Sequence, residues 1–362
     1  MMTAPHRVDD SADRVTVITV TYGDRWDVGL RATIESVLAE TAADLIVVGN
    51  GATQRVNALL EESAARADGR IELVTFERNR GSAPAFAAAL SSAYQRGTPV
   101  LILDDDNPLP AGALARLDSV ARALRAPGGR LSAVACFRAV NPVHVQLRSG
   151  IAPREVFAEL RPGAFLSTDV FRSRRGRSEA SVRRVQTDLG AAEVVPLPNA
   201  MWGGLYLPRE TVAHGVLPPS EFVLYADDNA FSARLRAAGV DIWLCFDVEI
   251  HDTIDWRASA EPARGLVRIP RVLRTAEADL WRVRYQTRNA AFLSAQQARP
   301  SRAARARLAV NVVVRLGLLF LAAAAALRLP VFIAVLRASI DGLRGRLGPS
   351  YALPGGDTPT AS

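Results

Sequence analysis

The chain contains no lysine: all 44 basic residues among its 362 positions are arginine. That absence excludes phosphate binding through a P-loop lysine, Schiff-base chemistry and the strand lysine of protein kinases. Cysteine is nearly as scarce. Cys136 and Cys245 each sit in an apolar run, where a buried free thiol is expected rather than a disulfide or metal pair. Aromatic residues make up only 6% of the chain and are not interleaved with arginine in a compact basic patch, so no nucleic-acid partner is expected. The first residues, MMTAPHRVDDSADR, lack the apolar core of a signal peptide, and the expected location is cytoplasmic. The C-terminal region lacks the uncharged run of roughly 20 residues that spans a bilayer. Its longest such run, Leu316 to Leu327, is bounded by Arg315 and Arg328.

What is present is a globular composition, 49% hydrophobic with a net charge of +7. The length suits one large domain, or one domain with an appendage. Strands are expected at Val15 to Val20, Asp44 to Val48, Ile71 to Phe76 and Val100 to Leu103, with helical patterns between them. This alternation predicts a doubly wound, mostly parallel sheet, and right-handed crossovers then bring the intervening loops to one edge. Further strands are expected at Leu131 to Val140 and Ile242 to Ile250. The polar stretch Arg172 to Arg184 reads as a solvated loop or as a cover over an anionic substrate. From Arg282 the pattern is helical, and Pro330 divides an apolar segment running from Leu308 to Leu343. That segment is either a hairpin packed on the domain or on a second subunit, or an interfacial membrane anchor, with the membrane surface favoured. The expected division is a disordered leader over 1–13, a catalytic domain over 14–260, a helical region over 261–347 and a disordered tail over 348–362.

The most informative segment is VLILDDDNP, Val100 to Pro108, where an apolar run ends in three carboxylates. Ligands of open α/β sheets sit outside the carboxyl ends of the strands. Adjacent carboxylates repel unless a cation shares them, and their hard oxygens select Mg²⁺, Mn²⁺ or Ca²⁺. The plainer alternative is an Asp-rich turn in which Asp106 or Asn107 caps a helix starting near Ala111. Three further loops share that edge. Thr21, Tyr22 and Arg25 could hold a nucleotide through hydroxyl, ring and guanidinium. Gly49, Asn50 and Gly51 leave room for a flat base, and Asn79, Arg80 and Gly81 precede a helix N-terminus that favours anions. A second acidic pair, Asp227-Asp228, opens a helix with Phe231, Leu235 and Ala238 on one face, either as caps or as a source of a catalytic base. His251 follows a strand and is either structural or a third ligand beside Asp104 and Asp106. Trp202 before Gly203 and Gly204 suits either a sugar stacked near exposed backbone or a buried Trp beside a tight turn; these three and Trp256 are the candidate sugar- and acceptor-binding residues.

The ordered segments VTVITVTY, IVVGNGA, ERNRGSAPAF, LILDDDNPLP, MWGGLYLPRE, FVLYADDNAFSARLRAAG and VEIHD, spanning Val15 to Trp256, resemble family 2 glycosyltransferases of the GT-A fold. The branch they are most similar to contains bacterial galactofuranosyl- and rhamnosyltransferases. The resemblance implies a Rossmann-like, mostly parallel sheet flanked by helices, here with a C-terminal helical appendage. It also implies an inverting enzyme that uses Mn²⁺ or Mg²⁺ and a nucleoside-diphosphate sugar. On that resemblance Asp104, Asp106 and His251 are the metal ligands, Asp105 contacts the donor, Asp227 is the base and Asp228 its neighbour. Tyr285, Arg288 and Asn289 resemble a signature near the end of the catalytic region. Many members carry Asp where this chain has Gly49, so the base stays open between UDP and dTDP. The expected acceptor is a cell-envelope glycan or a polyprenyl-linked sugar, at the inner face of the membrane. The rival classes are a sugar nucleotidyltransferase, for which TYGDR is a poor Gly-rich first loop, and a non-catalytic nucleotide-sugar-binding protein on a degenerate fold.

Overall fold

The computed structural model describes residues 14–125, 129–157, 160–171, 182–253, 270–353 and 355–356. Trp256, the leader, most of the Arg172 to Arg184 stretch and part of the tail lie outside the described residues. In chain order the elements begin with β1 (Val15–Gly23), α1 (Arg31–Ala39), β2 (Ala43–Ala52), α2 (Gln54–Arg66), β3 (Ile71–Phe76), α3 (Ser82–Arg96), β4 (Val100–Asp104) and α4 (Ala113–Leu124). They continue through β5 (Leu131–Phe137), α5 (Pro142–Arg148), α6 (Pro153–Val156), β6 (Arg183–Thr187), β7 (Gly190–Leu197), β8 (Leu205–Leu207), α7 (Arg209–Val212), α8 (Asp227–Ala237) and β9 (Val240–Glu249). The C-terminal region consists of α9 (Leu280–Ala298), α10 (Arg302–Ala325) and α11 (Leu329–Leu343).

All nine strands form one sheet in the order β3-β2-β1-β4-β8-β5-β9-β7-β6. The first four strands are parallel, as the alternation predicts, and β5 pairs with β9 in parallel. Between these halves β8 runs antiparallel to both β4 and β5. The short β8 and the β6–β7 hairpin escape the sequence reading because neither carries a long apolar run. The expected α/β, GT-A type architecture with a C-terminal helical appendage is the one observed. Strand residues alternate between two cores. Val17, Leu45, Leu101 and Leu103 face α1, α2 and α4. Ile18, Ile46 and Ile102 face Phe86 and Leu90 of α3 and Phe231 and Leu235 of α8. Because side-chain direction has a period of two, slipping any central strand by one residue would send its apolar set to the wrong face. Cys136 and Cys245 lie opposite each other on β5 and β9, buried and free, as expected.

The topology places the carboxyl ends of β1, β2, β3, β4, β5 and β9 along one edge. Gly203 and Gly204, which lead into the antiparallel β8, arrive at the same edge. Three chain features sharpen it. A single π-helical turn, Trp26–Leu30, follows β1. Such turns cluster at functional sites because they re-aim neighbouring side chains. The predicted cap at Asp106 or Asn107 is not made, since α4 starts at Ala113 behind Gly112 in the left-handed region. β5 stops at Phe137 rather than Val140, and Arg138 turns towards the edge.

The C-terminal helices pack on the catalytic domain and on each other. α11 lies so close to α9 that a Cβ on Gly342 would overlap the Arg288 carbonyl and the Ala291 side chain. The helix α10 is 24 residues long with a mean hydropathy of 2.2 over its most apolar window, of which 22% is buried. It is therefore long and apolar enough to cross a membrane, which corrects the expectation of too short a run. Arg315 interrupts the apolar stretch without ending the helix. Gly342→Val should force α11 from α9 at a cost of roughly 1–3 kcal/mol. The check is the urea midpoint of the full chain, and an unchanged midpoint would show that the helices are not in close contact.

Candidate active site

The centre of the site is a knot of carboxylates neutralised by two arginines. Asp105 is buried: its Oδ2 accepts from the Thr21 hydroxyl at 2.7 Å, and Arg25 Nε donates to Oδ1 and Oδ2 at 2.9 and 2.7 Å. Arg25 Nη2 also lies 3.6 Å from Asp106 Oδ2. On the other side Arg138 Nη1 donates to Asp104 Oδ2 at 3.2 Å, while its Nη2 donates to Asp252 Oδ1. Asp252 also accepts from Asn107 Nδ2 at 2.7 Å. The backbone N–H of Arg138 donates to Nδ1 of His144, whose own pKa falls to about 4 through burial and the Arg138 charge. His144 is thus a neutral acceptor that orients the arginine. Sequence reasoning missed Arg138, Asn107 and Asp252. The available signal was an arginine ending the apolar run AVACF, at a strand end equivalent to that of Asp104.

Asp106 remains under-neutralised. Its Oδ2 is buried with no hydrogen-bond partner, and burial together with the Asp104 and Asp105 charges pushes its pKa up to about 7. Asp104 faces the opening, with 35% of its side chain exposed. An orphaned carboxylate oxygen beside a partly open one is the chemistry of a hard divalent cation site. The expected three-ligand set does not assemble. Among the described residues no three His, Cys, Asp or Glu side chains group around a metal position, and His251 is 73% exposed with Nδ1 3.8 Å from Glu249 Oε1. Two carboxylates nevertheless fit, because Mg²⁺-type sites commonly combine one or two carboxylates with substrate phosphates and water. Gly203 is required here: a Cβ would meet Asn107 Oδ1, Arg138 Nη1 and Asp104 Oδ2.

The second acidic pair is split by its surroundings. Asp227 is buried, and its Oδ2 accepts from the Ser82 hydroxyl at 2.6 Å and from Trp202 Nε1 at 3.1 Å. Burial raises its pKa against the pull of those donors. Asp228 is half-buried and feels Asp104 across the site. Burial first, then the charges of Asp227 and Asp104, push its pKa up to about 7. The charge at the end of β4 thus acts on the start of α8. Trp202 is a correction. It is stacked between Phe86 and Phe231, with centroids at 4.4 and 5.2 Å, so its ring faces the core rather than a sugar. Gly204 likewise packs inward, where a Cβ would meet Ile250 and Cys136.

The loops expected to hold the donor are locked to each other. Asn50 Nδ2 donates to Asn79 Oδ1 and to the Gly81 carbonyl at 3.0 and 3.1 Å, and its Oδ1 accepts from the Arg80 N–H at 2.9 Å. These side chains set the loop shape. Tyr22, 45% exposed, and Arg80, whose guanidinium lies over Phe76, present their groups outward. From the tail, the Gly355 carbonyl accepts from the Asn79 N–H at 3.0 Å.

Directly before Asp227 the backbone is strained. Val223, Tyr225 and Ala226 all have positive φ, which costs non-glycine residues of order 1–3 kcal/mol each. The signature on α9 restrains this turn. Asn289 Nδ2 donates to the carbonyls of Phe222, Leu224 and Tyr225 at 2.9, 2.8 and 2.8 Å. Arg288, fully buried, donates to the carbonyls of Phe222 and Gly348 and lies over the Tyr285 ring. A guanidinium held by carbonyls and aromatic faces is a clamp on the chain rather than an ion pair.

Residues 16–127 match the model of the glycosyl transferase family 2. This segment contains β1 to α4 and the whole Asp104 to Asp106 cluster, and the enzyme class it defines is glycosyl transfer. No curated protein sequence matches the chain. Similar solved structures include a mannosyltransferase from Pyrobaculum calidifontis in complex with GDP-Man and Mn²⁺, at 17% identity and a TM-score of 0.45, covering 92% of this chain and 88% of that one. TarS residues 1–349 from S. aureus align at 13% identity and a TM-score of 0.45, covering 92% of each chain.

Asn289→Leu keeps the volume but removes the one amide that serves all three carbonyls of the strained turn. It should lower stability by about 2 kcal/mol and displace Asp228, cutting turnover. Urea unfolding checks the first effect, and an unshifted midpoint would mean that α9 does not hold the turn.

Proposed function

We propose that the protein is an inverting, divalent-metal-dependent glycosyltransferase that moves a sugar from a nucleoside diphosphate to a lipid-linked or cell-envelope glycan acceptor. The observation that carries this reading is the pair of carboxylates closing β4, Asp106 with a buried, unpartnered Oδ2 and Asp104 partly exposed, inside the matched family segment. The matched family segment supplies the reaction class. Bound Mg²⁺ or Mn²⁺ would neutralise the diphosphate as it departs. Asp104 and Asp106 would hold that cation, with donor phosphates completing its shell. Arg25 and Arg138 hold the remaining carboxylates, Asp105 and Asp252, as pinned counter-charges, so the knot keeps its shape.

The base role passes from Asp227, as the resemblance implied, to Asp228. One oxygen of Asp227 already accepts two hydrogen bonds, and the group is buried. It anchors the start of α8 to Ser82 and Trp202. Asp228 lies half-buried at the site, with a pKa near the operating pH, where a general base is most effective. Its carboxylate takes the proton of the acceptor hydroxyl. The hydroxyl oxygen then bonds to the anomeric carbon from the face opposite the diphosphate, whose bond to that carbon breaks with its electron pair. Gly203, lacking a Cβ, lets Asn107, Arg138 and Asp104 pack against its backbone and so hold the knot at the sheet edge. The sugar is proposed to be of galactofuranose or rhamnose type, carried on UDP or dTDP. The exposed apolar residues of α10, including Val313, Leu318 and Leu321, support an interfacial seat on the inner membrane face.

A base with a raised pKa must lose its proton to work, so transfer should rise with pH through about 7 and then level. Asp228→Asn should abolish that rise and reduce turnover by roughly 10²-fold or more, while Asp227→Asn should keep the profile. Initial rates from pH 5.5 to 8.5 decide it, and the opposite pattern would return the role to Asp227. Separately, Mn²⁺ with UDP or dTDP should raise the melting temperature of the unaltered chain, and Asp106→Asn should remove most of that gain. An equal gain in the variant would place the cation elsewhere.

A further inference from the structure

A cavity of about 280 Å³ lies between the start of α8 and the three C-terminal helices. Ala226 and Asn229, which flank the Asp227-Asp228 pair, form one wall. Gln286 and Ala290 of α9, Arg315 of α10 and Val335 of α11 form others. Ligand pockets typically measure roughly 300–1,000 Å³, and this one, just below that range, suits a small head group rather than a whole amphiphile. Arg315 is its only charged lining residue. The Nε of Arg315 is buried without a hydrogen-bond partner, and among the described residues Arg315 has no ion pair. A guanidinium donor left unpaired beside a cavity is costly unless an anion fills it. The remaining lining mixes aliphatic side chains with neutral polar ones, the amides of Asn229, Gln286 and Gln297 and the hydroxyls of Ser167, Thr287 and Ser294.

From this we infer that the cavity binds the phosphate-bearing head of an amphiphilic acceptor, with Arg315 holding the phosphate and the apolar walls taking the start of a hydrocarbon chain. The placement deepens the transferase reading and rests on it. An acceptor sugar attached to that phosphate would leave the cavity past Ala226 and Asn229, and so arrive at Asp228. The same helix, α10, presents Val313, Leu318 and Leu321 outward, which suits an approach from a lipid surface. On the proposed reading the donor nucleotide would bind at the β4 edge, outside this cavity, so the two substrates would not compete.

The test uses the full chain in EDTA, which removes any cation from the Asp104–Asp106 site. Calorimetric titration compares geranyl diphosphate, inorganic diphosphate and geraniol. Geranyl diphosphate should bind at least roughly ten-fold more tightly than either fragment, because only it satisfies both the guanidinium and the apolar wall. Arg315→Gln and Ala290→Trp, on different helices, should each weaken it by a similar factor. Should Arg315→Gln fail to fold, Ala290→Trp and the ranking of the three ligands on the unaltered chain still decide. Equal binding of inorganic diphosphate, equal binding of geraniol, or indifference to both substitutions would overturn the assignment. Binding of UDP or dTDP with Mn²⁺ to the unaltered chain, measured in parallel, tests the transferase reading by itself.

Discussion

Mutual repulsion among the carboxylates at the end of β4 is the constraint around which the sheet edge is built. Asp104, Asp105 and Asp106 are consecutive, and Asp228 and Asp252 converge on them from α8 and the end of β9. Unpaired, such a cluster could not remain charged in a partly buried place. Two guanidiniums from the ends of β1 and β5 absorb part of the charge: Arg25 at Asp105, and Arg138 across Asp104 and Asp252. Arg25 reaches Asp106 only at 3.6 Å, so the buried Asp106 Oδ2 lacks a hydrogen bond, and the pKa values of Asp106 and Asp228 are both pushed up to about 7. Those two unmet demands are the ones a cation and an acceptor hydroxyl would satisfy. Stability and chemistry therefore draw on the same imbalance.

The acid pair on α8 depends in turn on the C-terminal helices. The turn at Val223 to Ala226 persists in an unfavourable backbone region because Asn289 and Arg288 satisfy its carbonyls from α9. Gly342 lets α11 press against that part of α9. The Gly348 N–H donates to the Glu221 carbonyl, which ties the following segment to the same turn. The appendage is thus a structural support of the site, and its helix α10 also presents an exposed apolar face. The two roles fall on neighbouring helices: α9 grips the turn before Asp227, and α10, packed beside it, carries the exposed residues.

Much of this was legible in the residues themselves. Apolar runs ending in Asp, Gly or Asn marked β1 to β4 and placed their loops on one edge, because strand burial and crossover handedness leave few alternatives. The DDD segment could be read as a candidate cation site because adjacent carboxylates repel, and the DD segment as a candidate source of a base. Three features were not legible. Arg138 and Asp252 are single charges after apolar runs, and only strand order β8-β5-β9 brings them to Asp104. Trp202 looked like a sugar platform because a tryptophan before two glycines is compatible with either surface or core, and the stacking on Phe86 and Phe231 decides for the core. The division of labour within Asp227-Asp228 depends on Ser82, which is remote in sequence and hydrogen-bonds only one of the two.

The most direct measurement is anomalous diffraction at the manganese edge from crystals grown with Mn²⁺ and UDP or dTDP. The account predicts one strong peak within about 2.5 Å of carboxylate oxygens of Asp104 and Asp106, bridged to the diphosphate, with the Asp228 carboxylate facing the same space. A peak bound elsewhere, a nucleotide away from the β4 edge, or an Asp228 side chain turned into the protein would contradict it.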